Sequence, residues 1–261
     1  MADSDGTLDL LVRSENRARF LCALADDGPL DRYALEDRLD VSRRTVSRVA
    51  ETLSEAGYVH ERADGYALTA YGRLSTRAYR AYRDEAALLD RFRPLLREAD
   101  AGTFDLDPAL LRGADLTLAR ETSPYAILDR ILELRRQATR IREVAPGVED
   151  RSVTQLADRI RDGTDLDVEA VLPPGALDAA RSHPEYGEAH RVARESAAVD
   201  FFVYPEPFSV FVGVFDDTVA LAAGDGGHPS ALLVSDRPEL RAWAEDRIDA
   251  FEATATPLTD G

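Results

Sequence analysis

Two short runs of apolar residues, separated by a polar turn, recur at helical spacing within residues 30–57. The apolar positions of the first run are Tyr33, Ala34, Leu35 and Leu39, and those of the second are Val46, Val49, Ala50 and Leu53. Apolar residues three, four and seven positions apart are typical of amphipathic helices that share one core. The pattern therefore predicts a helix-turn-helix.

The second predicted helix begins with polar and basic side chains. Ser42 precedes it and is a suitable N-cap, because a serine hydroxyl accepts from the free amides of a first helical turn. The residues expected to face outward are Arg43, Arg44, Thr45, Ser47 and Arg48. Such groups bond to phosphate oxygens and base edges, and a helix-turn-helix inserts this end of its second helix into the major groove. An ordinary helical hairpin with a solvated arginine face remains the alternative.

A short β-hairpin is predicted directly after these helices. Residues 58–61 and 66–68 read as strands, and Asp64-Gly65 is typical of a hairpin turn. A hairpin in this place resembles the wing of the winged helix-turn-helix transcription regulators, and residues 68–73, LTAYGR, are similar to their exit from the wing. The resemblance implies double-stranded DNA as a partner, with Arg62 in the wing contacting the DNA backbone or the minor groove.

Residues 70–97 are predicted to form a long linking helix that also mediates dimerisation. Its apolar seam consists of Leu74, Ala78, Ala81, Leu88, Phe92 and Leu95. This spacing is typical of a coiled-coil-like contact, although the same stripe could pack on a second domain. Pro94 is expected to bend or end the helix, because proline lacks the amide hydrogen and clashes with the preceding turn.

The remaining chain alternates between strand-like and helical segments. A linker over 98–113 leads to strands at 116–119, 141–144, 166–172, 199–204, 209–215, 218–223 and 231–234, with helices at 123–139, 153–160, 177–181, 188–195 and 238–251. Short connections of this kind predict a sheet that is partly parallel, with an antiparallel end. The predicted fold class is an α+β winged helix-turn-helix (1–72), the long linking helix, and an α/β mixed-sheet effector domain (114–255). A disordered tail is expected over 256–261.

The second half resembles the effector domain of archaeal regulators of the methanogenesis-regulatory type, and more distantly the TrmB-type regulators. The resemblance covers about 110–255, and it is carried by Ser123-Pro124, FVGVFDDTVAL (211–221), GDGG (224–227) and LLVSDRPELRAW (232–243). It implies a ligand-sensing, dimer-forming domain.

A ligand of an open α/β sheet binds beyond the carboxyl ends of its strands. The polar residues expected there are Arg120, Glu121, Ser123, Arg142, Tyr204 and Glu206. An arginine among them could hold a phosphate or carboxylate in bidentate fashion. In the alternative, Arg120 and Arg142 only pair with neighbouring acids. A third reading makes the domain a docking or dimerisation platform without a ligand.

The charge balance is strongly acidic, and every basic residue except the histidines is arginine. The formal net charge is −17, and no lysine is present among 261 residues. This composition resembles that of haloarchaeal proteins, which work in molar salt. An acidic protein is a poor partner for DNA at low salt, but at 1 M salt the field is screened within about 3 Å. The acidic balance is therefore weak evidence against DNA binding.

The sequence offers no convincing catalytic or metal site. Without lysine, neither a phospholipase-type His-x-Lys pair nor a P-loop can form. His183 and His190 make no convincing metal set, residues 224–228 read as a turn, and Cys22 is the only cysteine. No run of 18 apolar residues is present. We therefore expect a cytoplasmic, non-enzymatic protein without cofactor, metal or membrane contact.

Together these patterns predict a homodimeric, site-specific DNA-binding transcriptional regulator that responds to a small-molecule effector. The alternative is a non-enzymatic protein–protein docking or dimerisation module that uses the winged fold without sequence-specific DNA binding.

Overall fold

The structure, a computed structural model, describes residues 8–176, 187–224 and 229–258. The chain forms two compact units, Met1–Ala87 and Leu88–Gly261. The predicted helix at 177–181, most of the turn at 224–228 and residues 259–261 of the predicted tail lie outside the described residues.

The first unit is a helical bundle followed by a two-stranded wing. Its elements are α1 (Asp9–Val12), α2 (Glu15–Asp27), α3 (Arg32–Leu39), α4 (Arg43–Glu55), β1 (Val59–Arg62), β2 (Gly65–Leu68) and the first part of α5 (Ala70–Leu96). Phe20, Leu21, Leu35 and Leu53 are fully buried in its core. The predicted helix-turn-helix, α3 and α4, is confirmed, and so is the hairpin that follows it.

The turn of the wing lies one residue earlier than predicted. Arg62 pairs with Gly65, so Ala63 and Asp64 are the two turn residues. Gly65 has φ +123°, and a Cβ there would lie 2.3 Å from the carbonyl oxygen of Leu30. Leu30 forms an antiparallel bridge with Tyr66 beside this glycine. Glycine at 65 is therefore required both by its own positive φ and by the close approach of the neighbouring chain.

Helix α5 runs through Pro94 and ends at Leu96. Of the two predicted effects of Pro94, it does not end the helix, because Phe92 and Leu95, on either side of the proline, are fully buried and hold the last turn. The predicted apolar seam of α5 does not face one partner along its whole length. Leu74, with 56% of its surface exposed, lies open to solvent, whereas Phe92 and Leu95 belong to the core of the second unit.

The second unit is an eight-stranded mixed sheet covered by helices. Its strands are β3 (Asp115–Leu118), β4 (Arg140–Val144), β5 (Asp167–Leu172), β6 (Val199–Val203), β7 (Val210–Phe215), β8 (Thr218–Ala223), β9 (Ala231–Ser235) and β10 (Thr256–Pro257). Its helices are α6 (Ala126–Gln137), α7 (Asp150–Arg161), α8 (Gly187–Arg194) and α9 (Pro238–Glu252). The strand order is β10-β6-β5-β4-β7-β8-β9-β3. Pairing is parallel along β4, β5 and β6 and antiparallel elsewhere, which confirms the predicted mixed sheet.

Two separate apolar cores cover the two faces of this sheet. Leu240, Ala244 and Ile248 of α9 pack on one face, and Ile127, Ile131 and Leu134 of α6 pack on the other. Adjacent residues of a strand point to opposite faces. Each strand residue therefore belongs to the α9 face or to the α6 face.

Three local predictions for the second unit need correction. Residues 98–113 are not an open linker, since Phe104 and Leu111 are buried in the core on the α9 face and residues 108–111 form a 3₁₀ turn. Helix α6 begins at Ala126, after a turn at Ser123-Pro124. Thr256 and Pro257 pair with β6 and are not part of a disordered tail.

Candidate functional site

The start of α4 is fixed by the cap that the sequence predicts. The Ser42 hydroxyl accepts from the backbone amide of Thr45 at 3.3 Å and lies 3.1 Å from the Thr45 hydroxyl. Asp40, in the turn before it, has φ +55°, a left-handed conformation that reverses the chain between α3 and α4. The cap leaves further amides of the first turn free, and free amides there favour anions such as phosphate.

Arg44 and Arg48 lie one helical turn apart on α4. Both are exposed, and neither side chain has an ion pair or hydrogen bond within the described part of the chain. Residues four apart share one face of a helix. They therefore present two guanidinium groups side by side with no acidic partner among the described residues to neutralise them.

The other predicted DNA-contacting residues are less free. Arg43 pairs with Glu36 of α3 at 3.2 Å, and Arg62 in the wing pairs with Asp64 at 3.5 Å. The side chains of Arg43, Arg62 and Asp64 are largely exposed. Both ion pairs are therefore weak in water. Thr45 and Ser47 are half-buried.

The arginines on α5 divide into two kinds. Arg73 and Arg77 are exposed. Arg80 donates to the carbonyl oxygen of Cys22 at 3.1 Å and to Asp26 at 2.8 Å, and these bonds raise its pKa. Arg80 thus ties α5 to α2 and is not available to a phosphate.

The six residues predicted to bind a ligand do not come together. Arg142 pairs with Glu169 and, at 2.8 Å each, with Asp249 and Glu252, on the face covered by α9. Tyr204 packs there too, against Phe251 with ring centroids 4.8 Å apart. Arg120, Glu121, Ser123 and Glu206 are exposed. As ligand contacts, these six residues remain a prediction.

A cavity of about 400 Å³ lies on the other face of the sheet, under α6, α7 and α8. Its walls are mostly apolar, and it reaches the carboxyl end of β4 at residues 145–149. This agrees with the general expectation of a site at strand ends. Of the six predicted residues none lines it, although Pro124 and Tyr125, next to Ser123, do.

The polar groups in this cavity were not foreseen. Arg135 of α6 forms an ion pair with Glu143 of β4, and both line the cavity together with Ser152 and His190. A signal was present, because Glu143 stands between Ile141 and Ala145 on a strand face that is otherwise apolar. A charge at such a position is costly unless it is paired.

Metal and membrane sites do not add to this picture. Within the described ranges, no group of three His, Cys, Asp or Glu side chains could hold a metal ion. No helix in those ranges is both long and apolar enough to span a bilayer.

A capped helix with free arginines, a wing after it and a second α/β unit with a cavity define a winged helix-turn-helix protein with an appended α/β unit. The family model described as "methanogenesis regulatory protein FilR1, middle domain" matches residues 124–254. The chain therefore belongs to this family, as the resemblance of its second half predicts. A second model, the HVO_A0261 N-terminal domain, matches residues 5–91. The comparison with curated proteins gave no match.

Solved structures similar to the chain are remote. One is TrmBL2, titled an archaeal chromatin protein with a novel mode of DNA binding, with 14% identity, a TM-score of 0.42 and coverage of 98% of this chain and 100% of that chain. Another is the transcriptional regulator Tm0710 from Thermotoga maritima, with 20% identity, a TM-score of 0.26 and coverage of 32% and 68%. At these values the likenesses carry no argument about function.

Proposed function

We propose that the protein is a site-specific DNA-binding transcriptional regulator, and that α4 is its recognition helix. The observation that carries the proposal is the pair Arg44 and Arg48, which is exposed and unneutralised on one face of a helix in the helix-turn-helix position. Arginine is the residue that most often reads guanine in the major groove, through two hydrogen bonds. Arg62 in the wing would contact the DNA backbone or the minor groove.

High salt makes this kind of contact more important than overall charge. The counterion-release contribution to DNA affinity falls steeply as salt rises. A protein with net charge −17 must then depend on base contacts and groove fit, which bring sequence specificity. The free arginine pair on α4 supplies such contacts without requiring a basic domain.

The regulator is proposed to be a homodimer that uses the open part of the α5 seam. Tyr71, Leu74 and Tyr82 are exposed large side chains on this helix, and Ala78 and Ala81 between them are exposed too. The positions 74, 78 and 81 follow the 4, 3 spacing of a coiled-coil seam. Two copies joined in this way would read half-sites about 34 Å apart, one turn of DNA.

The second unit is proposed to bind a small-molecule effector. The support is the cavity under α6, α7 and α8, because enclosed apolar cavities with a few polar groups are typical ligand sites. A ligand there would alter DNA affinity only as far as it favours one arrangement of the two wings. In this proposal the protein is a regulator and not an enzyme.

The recognition helix is tested by selecting DNA from a pool of random duplexes in about 3 M KCl, where long-range charge is screened. We expect the full-length protein to enrich a sequence with two-fold symmetry. Arg44→Ala and Arg48→Ala should each weaken binding to that sequence by about 1 to 3 kcal/mol, the worth of one bidentate base contact.

The matched controls are Arg19→Ala and Arg83→Ala, which remove the same charge from exposed positions elsewhere in the first unit. Equal losses in both pairs of variants would make the effect one of charge and contradict the assignment of α4. Failure to enrich any sequence would favour the docking-module alternative.

A further inference from the structure

The apolar cavity of the second unit contains one buried ion pair. Glu143 on β4 is only 4% exposed, and the side chain of Arg135 on α6 is 12% exposed. One terminal nitrogen of Arg135 donates to Oε1 of Glu143. Both residues line the cavity, so the pair forms a polar end in a chamber whose walls are mainly aliphatic and aromatic.

Each partner of this pair keeps one hydrogen-bonding atom unused. Oε2 of Glu143 and Nε of Arg135 are buried, and neither has a hydrogen-bond partner in the described ranges of the chain. Leaving a buried polar atom unsatisfied costs about 1 to 3 kcal/mol. Native proteins satisfy the great majority of such atoms, so each exception calls for an explanation. Here the two atoms offer an acceptor and a donor on adjacent side chains.

The electrostatics of the pair limits what can bind. The carboxylate and the guanidinium cancel, so the cavity carries no net charge from them. An anionic head group would compete with Glu143 for Arg135, and a cationic one would compete with Arg135 for Glu143. Either would also lose its own hydration in an apolar chamber. A neutral group that both donates and accepts avoids this competition, and its hydrogen bonds to the pair offset its smaller loss of hydration.

The walls define the rest of the ligand. Apolar side chains from both the helices and the sheet surround the pair, among them Ile127, Ile131, Leu156, Val168, Phe201 and Phe211. On β7, Gly213 lies between Phe211 and Phe215, whose rings stack with centroids 6.4 Å apart. A Cβ at 213 would lie 2.8 to 3.0 Å from these rings. Glycine therefore lets the aromatic wall lie flat next to Glu143, with which it is paired in register.

We propose that this cavity binds a small neutral, largely aliphatic molecule through a hydroxyl or amide group. The group donates to Oε2 of Glu143 and accepts from Nε of Arg135, and the aliphatic part fills the apolar chamber. The inference deepens the proposed function and rests on it for one point only, that this molecule is the effector.

The test is a chemical-shift titration of the full-length protein without DNA, with 1-hexanol, hexanamide and hexanoate as probes. We expect both neutral probes to bind at least about 10-fold more tightly than hexanoate, a difference of about 1.4 kcal/mol. Glu143→Gln leaves Arg135 without its counter-charge, so this variant should reverse the order and prefer hexanoate.

Two further variants keep the test decisive. Arg136→Gln changes the neighbouring exposed arginine, which does not line the cavity, and should bind as the wild type does. Leu128→Trp enlarges a half-buried lining residue and should weaken binding of all three probes, which tests the site even if Glu143→Gln does not fold.

A wild-type protein that binds none of the probes, or that prefers hexanoate, overturns the proposal. So does unchanged binding in Leu128→Trp. Because DNA is absent, these outcomes are independent of whether Arg44 and Arg48 recognise DNA. Failure of DNA binding would remove the regulator and leave the cavity assignment standing.

Discussion

Thr69 and Gly72 fix the path of the chain out of the wing. The Thr69 hydroxyl donates to the carbonyl oxygen of Gly57 at 2.7 Å and accepts from the amide of Gly72 at 2.9 Å, which caps α5. A Cβ at position 72 would lie 1.9 Å from the carbonyl oxygen of Tyr58. The helix can therefore pass the wing only with glycine here. This explains physically why the exit segment contains these two residues.

Gly72→Ala should destabilise the protein by about 1 to 3 kcal/mol, the usual cost of forcing extra atoms into a packed site. The measurement is the free energy of unfolding in denaturant. Gly147→Ala is the control, because a Cβ at position 147 meets no atom within 4 Å. Equal stability of the two variants would show that the close approach at Tyr58 relaxes without cost.

Arg142 is predicted to stabilise the folded second unit. Its side chain is 11% exposed and pairs with Glu169, Asp249 and Glu252. Burial raises the pKa of Glu252 against the opposing effect of Arg142. Removing the arginine therefore leaves half-buried carboxylates together without a counter-charge, which is strongly destabilising.

Arg142→Met should lower the free energy of unfolding at pH 7 by about 2 to 4 kcal/mol, less than for fully buried pairs because Asp249 is exposed. A carboxyl group with a raised pKa in the folded state contributes stability at low pH and loses it as the pH rises through that pKa. The deficit should thus shrink toward about pH 4, and adding Glu252→Gln should recover part of it at pH 7. A deficit that does not vary with pH would contradict this account.

Sequence patterns located the residues of α4 better than those of the second unit. The cap at Ser42 and the exposed arginines follow from local helix rules, so they could be predicted. Arg142 and Glu143 are neighbours that face opposite sides of the sheet, and the side that each strand residue takes depends on pairing register. Which face holds the cavity is set by the packing of α6, α7 and α8, and no local pattern reveals that.

At the scale of elements, α5 lies in two different environments along its length. Its exposed part carries Leu74 and Ala78, and its last turns supply Phe92 and Leu95 to the second unit. The sequence showed one continuous seam, because a heptad pattern does not distinguish a partner helix from a domain core. The alternative reading, packing on the second domain, holds for the last turns.

Leu74→Glu is expected to weaken the proposed dimer by at least about 100-fold in Kd, since two copies each lose one buried leucine worth about 1.5 to 3 kcal/mol and each 1.4 kcal/mol is a factor of about ten. Sedimentation equilibrium of the full-length protein at high salt measures this. Arg77→Glu, an exposed neighbour off the seam, should leave the Kd within a few-fold. A dimer insensitive to Leu74→Glu would place the interface elsewhere.

At the scale of the whole molecule, the acidic surface predicts dependence on salt. With a net charge of −17, self-repulsion opposes the compact state when it is not screened. We expect the melting temperature to fall by several degrees as KCl is lowered from about 3 M to about 0.1 M, where the Debye length grows to about 10 Å. Betaine, which adds solute without screening charge, is the control. A constant melting temperature would contradict the expected adaptation to molar salt.

The most direct test of the central claim is genome-wide occupancy of the tagged protein in its native cell. It should be measured beside the Arg44→Ala/Arg48→Ala variant and the charge-matched Arg19→Ala/Arg83→Ala variant, at equal protein levels. We predict sharp peaks at promoters for the wild type and the control, and their loss in the recognition-helix variant. Peaks that persist in that variant would contradict the assignment of α4 as the element that reads DNA.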